Sequence, residues 1–117
     1  AGRVRGVTPM VRQMTVEELK AKQVAGEPVY LLDVRQPEEY AICHLPGSVL
    51  VPLGELPWRL DEVAPPAGAT VVVVCHHGVR SLTGAYHVQR AGHPDVVSLA
   101  GGIDAWSARV DPAVPRY

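Results

Sequence analysis

The sequence lacks several features that mark special classes of protein. It has two cysteines among 117 residues and no phenylalanine, and two cysteines cannot form the disulfide framework of a small secreted scaffold. No apolar run approaches the roughly 20 residues that a transmembrane helix needs. The formal net charge is −1, so a general surface for nucleic acid or for an acidic membrane is not expected.

The remaining composition is that of one folded domain. Hydrophobic residues make up 47% of the chain, which excludes a disordered protein, and the length suits a single hydrophobic core. The first ten residues contain basic side chains but lack the apolar region of a signal peptide. We therefore expect a flexible leader at residues 1–10, a domain at residues 11–110 and a surface tail at residues 111–117. The few cysteines also indicate a reducing, cytoplasmic setting.

Helix and strand signals alternate along the sequence. Thr15, with Glu18 three residues later, has the pattern of a capping box, which predicts a first helix that Gly26 ends. Short apolar runs predict strands at Val29–Val34, Val49–Val51, Val71–Val74 and Val96–Leu99. Further helical segments are predicted at Pro37–Tyr40, Leu53–Leu60, Ser81–Ala91 and Ile103–Arg109. This alternation predicts an α/β fold in which helices cover both faces of a mainly parallel sheet.

Three strand ends are expected to meet at one edge of that sheet. In open parallel sheets, ligands bind beyond the carboxyl ends of the strands. Here those ends carry Asp33 and Arg35, then Cys75, and then Gly101 and Gly102. The sequence therefore predicts a functional site around Cys75.

Cys75 itself has two interpretations. A cysteine after four valines is, taken alone, more often a core residue, because free cysteine is among the most buried residue types. The polar sequence HHGVRS that follows instead places Cys75 at the end of a strand and before a helix. Unpaired N–H groups at a helix N-terminus and a nearby arginine favour the thiolate form of a cysteine. We therefore interpret Cys75 as a nucleophile.

The loop after Cys75 is the predicted binding site for a small anion or a charged sulfur adduct. Gly78 allows backbone angles that a side chain would forbid. Arg80 adds a permanent positive charge, which either attracts an anion or ties the loop to a nearby carboxylate. The two histidines are expected at the rim and partly exposed. The predicted binding residues are His76, His77, Gly78, Val79, Arg80 and Ser81.

Other polar residues near this edge are expected to support the site rather than to react. Asp33 and Arg35 are expected to pair with local partners such as Glu38 or Glu39, and His44 is expected to fix a turn. Turn and packing roles are expected for Gly101, Gly102 and Trp106. No cofactor or metal is predicted, because the sequence has no C-x-x-C pair and adjacent histidines do not match the common zinc-ligand spacing.

Four motifs follow one another along the chain. They are Leu32-Asp33-Val34-Arg35 followed by Glu38-Glu39-Tyr40, then His44-Leu45-Pro46-Gly47-Ser48, then Cys75-His76-His77-Gly78-Val79-Arg80-Ser81, and finally Leu99-Ala100-Gly101-Gly102-Ile103-Asp104-Ala105-Trp106. Each is weak alone, but with all four in this order the sequence resembles a single-domain rhodanese, a sulfurtransferase module. One departure is Cys43, at a position where family members usually have glycine. It is either a structural side chain or a second thiol near the site.

The resemblance carries expectations about fold and chemistry. It implies a three-layer rhodanese-like fold with a five-stranded, mainly parallel sheet. It also implies a Cys75 persulfide that moves sulfane sulfur from thiosulfate or a protein persulfide to a thiophilic acceptor, which would be cyanide in vitro and a thiol or protein in vivo. The partners to expect are a small sulfur donor such as thiosulfate and a cysteine desulfurase, thioredoxin-like protein or sulfur-carrier protein.

Two alternatives stand beside an active sulfurtransferase. One is a carrier or docking module of a larger sulfur-relay or activating enzyme. The other is a phosphatase or arsenate reductase, because related phosphatases on this fold also use a cysteine loop. Their loops place five residues between cysteine and arginine, whereas four separate Cys75 from Arg80. The tighter loop favours sulfur chemistry, since a phosphoryl group with three oxygens needs a wider cradle.

Overall fold

A five-stranded parallel sheet forms the centre of the domain. The computed structural model describes residues 11–117, so the leader predicted at residues 1–10 lies outside the described part. The strands are β1 (Arg12–Met14), β2 (Val29–Asp33), β3 (Val49–Leu50), β4 (Thr70–Val74) and β5 (Val96–Leu99). They pair in the order β1-β5-β4-β2-β3, and every pairing is parallel. The predicted α/β fold with a five-stranded parallel sheet is confirmed.

Four α-helices cover the two faces of the sheet. They are α1 (Val16–Val24), α2 (Pro37–Ile42), α3 (Arg80–Arg90) and α4 (Gly102–Arg109). The predicted capping box begins α1: Thr15 Oγ1 accepts a hydrogen bond from the Glu18 N–H at 3.1 Å, and the Glu18 carboxylate accepts one from the Thr15 N–H at 2.8 Å. These two bonds satisfy backbone donors that the helix itself leaves unpaired.

The valine-rich strand β4 lies at the centre and is buried on both faces. Val71 and Val73 pack with Ala85 and Val88 of α3 on one face of the sheet. Val72 and Val74 pack on the other face in a cluster that includes residues of α1 and α4. The alternation follows from the pleat, which points successive side chains to opposite faces. The carboxyl end of β4 is therefore held firmly from both sides.

Two local predictions were incomplete or wrong. Strand β1 was not predicted, because three residues with an exposed Arg12 and Gln13 carry no apolar periodicity. The helix expected at Leu53–Leu60 is replaced by two 3₁₀ helices, Leu56–Trp58 and Leu60–Glu62. Pro57 explains this difference, because its ring nitrogen cannot donate the hydrogen bond that a continuous α-helix requires at this position.

None of the helices within residues 11–117 combines the length and the apolar character that a membrane span needs.

Candidate active site

Cys75 sits immediately after β4, where the sheet ends and the loop to α3 begins. Its side chain is 1% exposed. The Sγ atom accepts hydrogen bonds from the backbone N–H groups of Gly78 at 3.1 Å and Ser81 at 3.3 Å. Two N–H dipoles converging on one buried sulfur stabilise negative charge there. Cys75 is therefore buried like a core residue, and it also lies at the strand end that the nucleophile interpretation predicted.

Glycines allow the loop to pack tightly against the start of α4. Gly78 has φ +93°, and a Cβ there would lie 2.7 Å from the Gly101 nitrogen. Gly102 has φ +61°, and a Cβ there would lie 2.3 Å from the Cys75 carbonyl oxygen. Gly102 therefore does more than form the expected turn, because its lack of a side chain lets α4 approach the cysteine loop.

The first turn of α4 holds the backbone of the cysteine loop. The Ile103 N–H donates to the Cys75 carbonyl at 2.9 Å, and the Asp104 N–H donates to the His76 carbonyl at 3.0 Å. These N–H groups have no partners within their own helix. The loop carbonyls are thereby turned towards α4, while the N–H groups of Gly78 and Ser81 remain directed at Sγ.

A pair of buried serine hydroxyls extends from the sulfur into the sheet. Cys75 Sγ lies 3.3 Å from Ser81 Oγ, which lies 2.7 Å from Ser98 Oγ. Both serines are 0% exposed. Sequence reasoning selected Ser81 but missed Ser98. A signal was present in β5, where Ser98 is the single polar residue in the strand VVSL.

Arg80 pairs with a carboxylate from α2. Its two terminal nitrogens donate to the Glu39 carboxylate oxygens at 2.6 and 2.8 Å. The hydrogen bonds from Arg80 are the main reason that the pKa of Glu39 falls to about 2. Arg80 therefore ties the loop to a nearby carboxylate. Its pKa is raised chiefly by the hydrogen bonds to Glu39 and to a smaller extent by its interaction with Cys75, so attraction of an anion at the sulfur also remains a role for Arg80.

Asp33 and Arg35 form a buried ion pair with each other. Arg35 is 0% exposed, and its Nε and Nη2 donate to the Asp33 carboxylate at 2.9 and 2.7 Å. The expected pairing with the carboxylate of Glu38 or Glu39 is therefore wrong. Arg35 reaches only the carbonyl of Glu39, at 3.3 Å, and it also donates to the Cys43 carbonyl at 2.7 Å. Burial is the largest single influence on the pKa of Arg35 and lowers it, but the interactions with Asp33 and Tyr117 together outweigh burial, and the pKa is raised.

The rim of the site is aromatic. The His76 ring stacks on His77 with centroids 3.8 Å apart and on Tyr117 at 3.9 Å. His76 Nε2 is buried and has no hydrogen-bond partner within residues 11–117. Burial, followed by the nearby His77, lowers the pKa of His76 and so favours the neutral ring. His77 and Val79 are exposed, and of the predicted loop residues only Gly78 and Ser81 donate to Sγ within the described chain.

Residues 111–117, which we call the strap, lie against this rim. The Tyr117 hydroxyl accepts a hydrogen bond from Arg35 at 2.8 Å and donates one to Glu39 at 2.9 Å. Arg116 pairs with Asp104 at 3.0 Å, and the Pro115 carbonyl accepts from the Cys43 thiol at 3.4 Å. The sequence predicted a surface tail, but it gave no sign that this tail reaches the residues around the cysteine loop.

Cys43 and His44 serve local structure next to the strap. Cys43 is half-buried and packs with the core cluster below α1 and α4. His44 Nδ1 lies 2.8 Å from the Tyr40 carbonyl oxygen, and the two rings stack at 3.8 Å. His44 thus fixes the turn after α2, as expected, and Cys43 has the contacts of a structural side chain.

One group of side chains has the composition of a metal site. His76, His77 and Asp104 each place a potential ligand atom within 4.8 Å of the others, a grouping that the spacing of the histidines did not predict. The two imidazoles stack with their centroids 3.8 Å apart and their planes inclined by 25°. Asp104 is also paired with Arg116. A metal ion bound to Asp104 would therefore compete with this ion pair.

Several known proteins are similar to this chain in sequence and in fold. The family model described as the rhodanese-like domain matches residues 15–109. A sulfurtransferase of Allochromatium vinosum is 32% identical over 90% of this chain and 96% of its own length. The crystal structure of a rhodanese-like domain protein from Staphylococcus aureus is 30% identical, covers 92% of this chain and 99% of that one, and superimposes with a TM-score of 0.75.

Other relatives are longer proteins. The adenylyltransferase and sulfurtransferase uba4 of Ogataea parapolymorpha is 34% identical over 90% of this chain, but the match spans 26% of uba4. The chain likewise spans 54% and 26% of the length of two further relatives. The cysteine loop that follows the central strand β4 lies within the matched residues 15–109. This match shows that the chain belongs to the rhodanese-like domain family.

Proposed function

We propose that this protein is a sulfurtransferase that carries sulfane sulfur as a persulfide on Cys75. The observation that supports this most directly is the convergence of the Gly78 and Ser81 N–H groups on Cys75 Sγ, at 3.1 and 3.3 Å. A thiolate needs such donors before the reaction, and it needs them again when it leaves the persulfide.

The proposed reaction has two steps. In the first, the Cys75 thiolate attacks the outer sulfur of a donor such as thiosulfate. The bond between the two donor sulfurs breaks, and sulfite leaves with the electron pair, so that Cys75 holds a persulfide anion. In the second, a thiophilic acceptor such as cyanide or a thiolate attacks the outer sulfur, and the Cys75 thiolate is released. No redox partner is consumed, because the transferred sulfur carries its oxidation state with it.

The donor and acceptor belong to the same proposal. Thiosulfate is the small-molecule donor to test first, and a protein persulfide is the alternative, supplied by a cysteine desulfurase, a thioredoxin-like protein or a sulfur-carrier protein.

A second candidate function is a carrier or docking module within a larger relay enzyme. Its support is the relationship to uba4, in which the matched region is 26% of a protein named as both adenylyltransferase and sulfurtransferase.

Intact mass spectrometry tests the central claim. After thiosulfate treatment, the wild type is expected to gain the mass of one sulfur atom, which cyanide removes. Cys75→Ser should abolish this gain because it removes the attacking sulfur, and Cys43→Ser is the matched control that should keep it.

Two outcomes separate the alternatives. A carrier or docking module would gain sulfur from a protein persulfide but not from thiosulfate. A phosphatase would hydrolyse an aryl phosphate and transfer no sulfur, which would overturn the proposed function together with the argument from loop length.

A further inference from the structure

The hydroxyls of Ser81 and Ser98 form a buried, hydrogen-bonded pair next to the sulfur of Cys75. The three atoms follow one another in a row, with 3.3 Å from Cys75 Sγ to Ser81 Oγ and 2.7 Å from Ser81 Oγ to Ser98 Oγ. Ser98 lies in register with Val73 of the neighbouring strand β4. Within residues 11–117, the hydrogen bond to Ser81 Oγ is the only one that the Ser98 side chain forms.

Counting hydrogens shows which state of Cys75 this row fits. Two contacts link the three atoms, so the row can use two hydrogens. When Cys75 is a thiol, the row contains three hydrogens, and one of them is left buried among these atoms without an acceptor. When Cys75 is a thiolate, Ser98 donates to Ser81, Ser81 donates to the sulfur, and no hydrogen is left over. The surplus hydrogen can be that of the thiol, which is a weak donor, and the same surplus would remain with alanine at position 98. What Ser98 adds is a hydrogen bond to Ser81 Oγ, which polarises the Ser81 hydroxyl and strengthens it as a donor to anionic sulfur.

The charged side chains near Cys75 Sγ in the described part of the chain form ion pairs with one another and do not hydrogen-bond to the sulfur. The charged groups on the surrounding elements are paired with one another: Arg80 with Glu39, Arg35 with Asp33, and Arg116 with Asp104. Burial lowers the pKa of His76 and favours its neutral ring, and the exposed His77 stacks on that ring. The hydrogen bonds to Cys75 Sγ come from backbone N–H groups and from the Ser81 hydroxyl, and the charge of the paired Arg80 adds a longer-range interaction with Cys75.

We propose that Ser98 is a positioning residue that holds the Ser81 hydroxyl as a donor to anionic sulfur on Cys75. Ser98 does not touch the reacting atom itself. It donates to Ser81 Oγ, and this bond orients and polarises the Ser81 hydroxyl towards Cys75. The same donor serves when Cys75 attacks and when it leaves a persulfide. The inference rests on the proposed function only in taking Cys75 as the reacting thiol.

Alkylation by iodoacetamide across pH 6 to 10 tests this role, in a Cys43→Ser background where Cys75 is the single thiol. Ser98→Ala is expected to slow the reaction about twofold to threefold at pH 7, because the Ser81 hydroxyl loses the hydrogen bond that polarises it. The difference between the two rates should narrow towards pH 10, because a hydrogen bond that stabilises the anion matters less where base is abundant. Unchanged rates at pH 7, or equal slowing at every pH, would overturn the proposal, since a simple packing defect acts at all pH values.

Two further comparisons keep the test decisive. Ser98→Thr and Ser98→Val add similar bulk and differ in the hydroxyl, so the Thr variant must react faster than the Val variant at pH 7 even if Ser98→Ala folds poorly. Thr70→Val removes another buried hydroxyl from the sheet, about 16 Å along β4 from Cys75, and should leave the rate unchanged. Failure of thiosulfate loading with this alkylation pattern intact would count against the proposed function and not against the role of Ser98.

Discussion

The hydrogen bonds to Cys75 Sγ come from neutral groups, and the nearby charge of Arg80 acts on the sulfur at longer range. Arg80 was a candidate for direct attraction of an anion, but its guanidinium binds both oxygens of Glu39. The sulfur instead meets two backbone N–H groups and a hydroxyl. These donors accommodate a single charged sulfur, while the paired arginine orders the loop and adds its charge at longer range.

The Arg80–Glu39 pair predicts an acid-sensitive contribution to stability. The pKa of Glu39 is about 2 in the folded protein, chiefly because of the hydrogen bonds from Arg80, and it is near 4.5 in an unfolded chain. A carboxyl with a depressed pKa stabilises the fold fully above about pH 5, and this stabilisation is lost as the pH falls towards 2. Since Arg80 is partly exposed and solvent screens the pair, we expect the Glu39 carboxylate to contribute about 1–2 kcal/mol to the free energy of unfolding at pH 7.

Urea unfolding between pH 2 and pH 7 measures this contribution. Glu39→Gln should destabilise the protein at pH 7 and should flatten the loss of stability below pH 5. Glu38→Gln is the matched control, because Glu38 is the exposed neighbour in the same helix. Identical pH profiles for the two variants would contradict the assigned role of Glu39.

At the scale of elements, the site depends on how closely α4 approaches the cysteine loop. The N-terminal turn of α4 binds the carbonyls of Cys75 and His76. This approach is possible because Gly102 presents no side chain to those carbonyls. The end of β4 and the start of α4 thus form one unit, although α3 and β5 lie between them in the sequence.

Gly102→Ala is expected to destabilise the protein by about 2–5 kcal/mol. Part of this is the cost of a side chain at positive φ, about 1–2 kcal/mol, and the rest comes from the collision with the Cys75 carbonyl. Gly26→Ala is the control, because Gly26 has φ +75° and a Cβ there would meet nothing within 4 Å. Urea unfolding should show the larger loss for Gly102→Ala, and equal losses would mean that α4 can shift without cost.

Across the whole molecule, the strap joins distant parts of the site. The Tyr117 hydroxyl links the Asp33–Arg35 pair to the Glu39–Arg80 pair, and its ring covers His76. The rhodanese-like family match ends at residue 109, so these contacts come from residues beyond the matched region. The strap is therefore a feature of this chain that the family assignment does not describe.

Tyr117→Phe and Tyr117→Ala separate the two contacts of this residue. Tyr117→Phe should cost about 1 kcal/mol for the lost hydrogen bonds while keeping the stack on His76. Tyr117→Ala should in addition raise the pKa of His76, because burial is the main cause that lowers it. Histidine titration by NMR and urea unfolding measure the two effects.

The control for the hydroxyl is Tyr86→Phe, because the Tyr86 hydroxyl accepts from the exposed Arg90 at 3.2 Å. Its stability should change by less than about 0.5 kcal/mol. If the pKa of His76 were the same in wild type and Tyr117→Ala, the strap would not cover that ring in solution.

Some features of this protein could be predicted from its sequence because residues close together in the chain determine them. The capping box of α1 and the buried valines of β4 follow from neighbouring residues and from periodicity. The position of Cys75 at a strand end follows from the change from valines to a polar, glycine-containing segment. Strand β1 was missed because its pairing with β5, more than 80 residues away, determines it.

The sequence by itself determined the parallel α/β architecture, the cysteine loop and its length. Tertiary structure decided which side chains meet there: Arg80 binds Glu39, 41 residues away, and Tyr117 reaches Arg35 across 82 residues. Ser98 faces Ser81 because β5 lies beside β4 beneath α3. Such partners are chosen by the packing of elements and not by neighbours in the chain, and the same packing creates the burial that leaves Cys75 with hydroxyl and N–H donors around its sulfur.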